Sequence, residues 1–82
     1  MPRADAVRRL SDELARDPAS LAFLPLAELL MGRGELEAAW IVARRGQARH
    51  AGRADAHDLV ARLAAARGDW DEARGAWARA VE

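Results

Sequence analysis

The sequence has no cysteine, lysine, tyrosine, threonine or asparagine among its 82 residues. The absence of cysteine excludes disulfide bonds, thiolate zinc sites and cysteine nucleophiles. Thirteen arginines balance thirteen acidic residues, so the net charge is zero and the overall field does not favour binding to nucleic acid. No apolar run approaches the roughly 20 residues that cross a membrane, and no secretory signal follows Met1. We therefore expect a cytoplasmic protein with neither a nucleic-acid nor a membrane partner.

Alanine, arginine and leucine dominate the chain, and this composition favours an all-α fold. Apolar spacing, interrupted by Asp-Pro and by glycines, predicts five helices over residues 3–16, 20–31, 35–48, 54–67 and 70–81. Asp17-Pro18 ends the first helix, and Asp17 or Ser20 is expected to cap the second. Pro25 should bend the first turn of that second helix or delay its start. Asp69 is expected to cap the fifth helix.

The chain contains an internal repeat. Arg33-Gly34 recurs as Arg67-Gly68, and Ala39 recurs as Ala73. Over residues 20–48, seven of 29 positions are identical at this shift, and they fall on small helix-facing residues and on the turn between helices. A period of about 34 residues with two helices per unit is typical of a solenoid repeat.

The segments 34–39 (Gly-Glu-Leu-Glu-Ala-Ala) and 68–73 (Gly-Asp-Trp-Asp-Glu-Ala) resemble the turn and second-helix start of the tetratricopeptide repeat. Leu26-Ala27 and Val60-Ala61 match the large-then-small pair in that family's first helix. The resemblance covers roughly residues 3–82. It implies a single domain, 1–82, in which antiparallel helix pairs stack as a short right-handed α-solenoid: a leading helix (3–16), repeat 1 (20–48) and repeat 2 (54–82). The chain departs from the family pattern at Phe23, Ala43, Gly46 and His57.

The resemblance also implies a binding surface, because the family presents ligands mainly on a concave surface lined by the first helix of each pair. We call the matching residues the concave set; they are Leu21, Leu24, Glu28, Met31, Asp55, Asp58 and Arg62, with Ala65 continuing the stripe. The first part of the set is apolar and the second is charged, so an apolar or arginine-bearing peptide or helix is the expected ligand. Alternatively, Leu21 and Leu24 are core residues beneath the leading helix.

The tryptophans have two interpretations. Trp70 and Trp77 are predicted to pack in the repeat register. A following helix would normally cover Trp77, so we also predict a self-association surface, the C-terminal edge, formed by Trp70, Trp77 and Val81. Trp40 has no apolar counterpart in repeat 2, where Arg74 stands at the matching position, and it is either a packing residue or a partly exposed contact for a partner.

No pattern indicates catalysis, a metal or a cofactor. A basic cluster is formed by five residues near the end of the third helix: Arg44, Arg45, Arg49, His50 and Arg53. Because no aromatic residues alternate with them, we interpret the cluster as a helix end and a solvated loop rather than a nucleic-acid surface. His50 and His57 are too few for a histidine metal site, and His57 is interpreted as part of a polar helix start. Ser11 and Ser20 are interpreted as capping residues without a His–acid pair for catalysis.

The sequence thus predicts a non-enzymatic protein-interaction module, or scaffold, without cofactors. Its partner would be a peptide or helix bound by the concave set. One alternative is self-assembly through the C-terminal edge, which would give a homo-oligomer such as a dimer. The other is that the chain is a fragment of a longer repeat scaffold.

Overall fold

The computed structural model describes residues 2–80, which form five α-helices and, within that range, no strand. The helices are α1 (Pro2–Arg16), α2 (Phe23–Gly32), α3 (Leu36–Arg49), α4 (Ala54–Ala66) and α5 (Trp70–Ala80). The predicted all-α fold with about five helices is confirmed. None of the described helices is both long and apolar enough to cross a membrane.

The start of α2 differs from the prediction. Its N-cap is Ala22, without a side-chain cap, rather than Asp17 or Ser20. Ser20 accepts a hydrogen bond from the Ala22 N–H at 3.1 Å and donates one to the carboxylate of Glu13, while Asp17 accepts one from the Ala19 N–H at 3.1 Å. Both predicted caps therefore shape the turn between α1 and α2.

Pro25 lies in the first turn of α2, where a backbone N–H has no intrahelical partner to lose. The helix is not delayed until Pro25, since it begins two residues earlier. A hydrogen bond from the Leu24 N–H to the Leu21 carbonyl, at 3.1 Å, closes the turn that leads into the helix.

The turns that end α2 and α4 have the same hydrogen-bond pattern at matching positions of the two repeats. Gly34 and Gly68 adopt φ values of 79° and 83°, a left-handed conformation that suits glycine. The Gly34 and Gly68 N–H groups bond to the carbonyls of Met31 and Ala65, both at 3.0 Å. The next N–H groups complete the pattern with longer-range bonds, from Glu35 to Leu30 and from Asp69 to Ala64. This arrangement is the Schellman motif, and its recurrence gives the repeat a structural basis.

The helices pack mainly against their neighbours in sequence. Helix α2 contacts α1, α3 and α4, and α4 also contacts α3 and α5. The four alanines expected where helices approach closely are fully buried: Ala27, Ala39, Ala61 and Ala73. Small side chains at these positions let helix pairs pack closely, while larger residues fill the remaining core. The largest fully buried side chains are Phe23, Leu59, Val60 and Leu63.

Asp69 caps α5 as predicted, since its carboxylate accepts the Glu72 N–H at 3.2 Å. The acidic group also lies at the positive end of the helix dipole.

Candidate interaction surfaces

Three charged members of the concave set form one network across the two repeat units. Arg62 of α4 donates to Glu28 of α2 at 3.1 Å and to Asp58 of its own helix at 3.0 Å. Because these side chains are about half exposed, each pair contributes at most about 1 kcal/mol to stability. The network instead fixes the positions of the charged groups relative to one another.

The apolar members of the concave set divide into two environments. Leu21 is 41% exposed in the turn before α2. Leu24 and Met31 are half-buried and pack against the core. The alternative that Leu21 and Leu24 belong to the core therefore holds in part for Leu24 and not for Leu21.

Asp55 pairs with an arginine that lies just before α4. Arg53 donates to both Asp55 carboxylate oxygens, at 3.0 and 2.8 Å. The hydrogen bonds and positive charge of Arg53 lower the pKa of Asp55 from its ordinary value of 3.8. The surface therefore has three carboxylates, those of Asp55, Glu28 and Asp58. They pair with two guanidinium groups, those of Arg53 and Arg62. The face keeps one net negative charge.

Trp70 and Trp77 lie largely at the surface, with exposed fractions of 59% and 39%. The prediction that they pack in the core is therefore wrong. At the corresponding positions of α3, Leu36 is half-buried and Ala43 fully buried, because α3 packs against both α2 and α4. Among the described helices, only α4 has Cα atoms within 8 Å of those of α5. Val81, the third residue of the C-terminal edge, lies outside the described residues.

Trp40 is a packing residue with its ring covered by arginine. The ring is half-buried against the core, and the guanidinium group of Arg67 lies 4.3 Å from its centroid. Arg44 approaches at 5.4 Å. Such cation–π contacts stabilise a fold by about 0.5–1 kcal/mol at an exposed site. The interpretation of Trp40 as an open partner contact is not supported by this geometry.

Three of the five residues of the basic cluster are engaged by contacts within the fold. Arg44 forms an ion pair with Glu72 at 2.6 Å, and Arg53 pairs with Asp55. His50 donates to the Ala19 carbonyl at 2.7 Å. Its ring also stacks on Phe23, with 5.6 Å between centroids. The cluster therefore does not form one continuous basic surface.

His57 is a core residue, although the sequence interpretation made it part of a polar helix start. It is 7% exposed, and the geometry suits donation from its Nε2 to the Ala51 carbonyl. The Gln47 amide lies 3.0 Å from Nδ1 as a donor. Both ring nitrogens are thus satisfied, as a buried polar group requires. The signal for burial was present in the repeat register, because His57 aligns with Phe23.

Within the described residues, no group of three or more potential ligands is arranged to hold a metal ion. No protein-family model and no curated protein sequence matches the chain.

Proposed function

We propose that the chain is a non-catalytic, tetratricopeptide-like interaction module that receives a peptide or helix of a partner protein along the concave set. The observation that carries this proposal is the network in which Arg62 joins Glu28 and Asp58. It ties the first helices of the two repeat units into one surface, beside the exposed Leu21. A preformed surface of this kind reduces the ordering that binding requires.

The chemistry of the surface indicates the chemistry of the ligand. Leu21 and the accessible parts of Leu24 and Met31 offer apolar contact, and the neighbouring carboxylates of Glu28 and Asp58 are about half exposed. One net negative charge remains after pairing. A segment that combines apolar residues with arginine is the complementary partner.

Peptides selected from a displayed random library against this chain provide the test. We expect them to be enriched in apolar residues and arginine, and to lose at least about tenfold in affinity for the Leu21→Glu variant. Ile41→Glu is the matched control, because Ile41 is a 50% exposed aliphatic residue on α3, outside the concave set. Peptides that bind Leu21→Glu as well as the unaltered chain would remove this surface from the proposal.

A second candidate function, self-association through the C-terminal edge, is favoured by the exposure of Trp70 and Trp77. Two large aromatic residues seven positions apart lie on one side of α5, where a second copy could bury them. Light scattering from micromolar to millimolar concentration tests this function. A mass that rises with concentration and returns to the monomer value in Trp70→Glu/Trp77→Glu would support it, and a constant monomer mass would exclude it.

A further inference from the structure

A groove of about 790 Å³ opens between α1 and α3, with α2 beneath it. Phe23 and Leu26 form its buried floor, and Leu14, Ala15 and Val42 provide accessible apolar surface on its walls. At about 100° per residue, Leu26 projects from roughly the opposite side of α2 from Leu24. The groove is therefore distinct from the concave set.

The groove is open because the backbone of α1 lies close to that of α2 but not to that of α3. Among the described helices, only α2 has Cα atoms within 8 Å of those of α1. Two helices that stand apart on a shared apolar base form a channel of the kind in which a third helix packs.

One wall of the groove is positively charged. Arg45 and Arg49 are exposed and lie one turn apart on α3, at spacing i and i+4. Within residues 2–80, neither guanidinium group has an ion pair or a side-chain hydrogen bond, whereas Arg44 on the same helix is paired with Glu72. The described lining contains no acidic side chain. The groove thus combines apolar surface with unneutralised positive charge along one edge.

The corresponding groove between α3 and α5 provides an internal comparison. It is smaller, about 370 Å³, and the Arg44–Glu72 ion pair spans it. His57 stands where the first groove has Phe23, and its ring is bonded to Gln47. The Arg44–Glu72 ion pair and the His57–Gln47 hydrogen bond therefore occupy the second groove, whereas the residues that the structure describes form no such pair across the first.

We infer that the α1–α3 groove binds an amphipathic helix of a partner protein whose apolar stripe is flanked by acidic residues on one edge. The apolar stripe lies along Leu14, Ala15 and Val42. Asp or Glu residues three or four positions apart on the partner match the one-turn spacing of Arg45 and Arg49. The charged edge sets the orientation of the helix and selects against basic helices.

Two synthetic helical peptides of about five turns test the inference. Both carry the same leucine stripe, and one has glutamate flanking the stripe where the other has lysine. We expect the glutamate peptide to bind at least about tenfold more tightly than the lysine peptide. In NMR spectra of the ¹⁵N-labelled chain, it should shift the amide signals of α1 and α3 residues that line the groove.

Charge reversal with a matched control locates the site. Arg45→Glu/Arg49→Glu should reverse the peptide preference. Arg9→Glu/Arg74→Glu should retain it, because this variant has the same net charge. Arg9 lies a third of a turn or more from the α1 residues that line the groove, and Arg74 lies on α5, which contributes no residue to the lining. Ala15→Trp, at an exposed position, should fill the groove and abolish binding while far-UV circular dichroism shows unchanged helix content.

Several results would overturn the inference. Absence of binding by either peptide, equal affinities for both, or a preference unaffected by Arg45→Glu/Arg49→Glu would each do so. A dimer of the free chain that Ala15→Trp dissociates would show that a second copy fills the groove instead. Leu21→Glu alters the concave set and leaves the groove intact. The test of binding at the groove is therefore independent of the test of binding at the concave set.

Discussion

A single methyl group added at Gly46 tests the packing of the first repeat unit. Gly46 lies on α3 against the ring of Phe23, and a Cβ atom built there comes within 2.0, 2.2 and 2.4 Å of three ring atoms. Glycine within a helix normally costs about 0.5–1 kcal/mol relative to alanine. The tetratricopeptide repeat, which the sequence resembles, usually has alanine at the corresponding position. Helix propensity and the family pattern therefore predict stabilisation by Gly46→Ala, whereas the structure predicts the opposite sign.

The size of the effect follows from the surroundings of the ring. Phe23 is 1% exposed and stacks on His50 with an interplanar angle of 9°, so a movement of its ring away from the added methyl group would disrupt this stacking. Overpacking of a well-filled core costs about 1–3 kcal/mol. Subtraction of the helix-propensity gain leaves a net destabilisation of about 1 kcal/mol at the midpoints of the two ranges. For a domain of this size the melting temperature should fall by about 4–8 °C.

Urea unfolding followed by far-UV circular dichroism measures the change. Gly75→Ala in α5 is the matched control, because the nearest atom to its added Cβ is an Arg79 guanidinium nitrogen at an ordinary 3.7 Å. This control should stabilise the chain by about 0.5–1 kcal/mol. The double variant Phe23→Leu/Gly46→Ala should be less destabilised than the sum of its single changes, since the smaller side chain relieves the overlap. Equal stabilisation by Gly46→Ala and Gly75→Ala would refute the packing argument.

Two further predictions concern the turns and the arginine-covered ring. Gly68→Ala should destabilise the chain by about 1 kcal/mol, because its φ of 83° disfavours a side chain. Gly32 has no positive φ, and a Cβ atom added there meets open space, so Gly32→Ala should be neutral or slightly stabilising. Equal melting temperatures for the two variants would contradict this reasoning. Arg67→Ala should cost about 0.5–1 kcal/mol in urea unfolding through loss of the contact with Trp40. Glu37→Gln, which removes only the exposed ion pair to Arg67, should change stability little, and an equal loss would assign the effect to the ion pair.

The helices and their connecting turns could be predicted from sequence because they depend on residues close together in the chain. Apolar spacing placed most helix boundaries within one or two residues, and Gly34 and Gly68 marked the left-handed positions. The error at Ser20 arose because a serine near a helix start can cap the helix or a preceding turn. Pro25 is compatible with either arrangement, so it did not show which of the two Ser20 would cap.

The environment of the aromatic residues was harder to predict. The repeat register identified the buried alanines and aligned His57 with the core residue Phe23, yet local polarity favoured a helix-start interpretation for His57. For Trp70, the register predicted burial. The observed exposure depends on which helices lie against α5, and local periodicity does not contain that information.

What the sequence alone determined is the set of helices, the period at which they repeat and the glycine turns that join them, because backbone geometry, capping and helical spacing are local properties. The tertiary structure decided which charges are neutralised: Arg62 meets Glu28 and Arg44 meets Glu72, while Arg45 and Arg49 have no such acid beside them in the described chain. It also decided that the α1–α3 groove stays open while polar groups occupy its counterpart. These outcomes depend on contacts between side chains that are distant in the sequence, whose positions are fixed only when the helices pack.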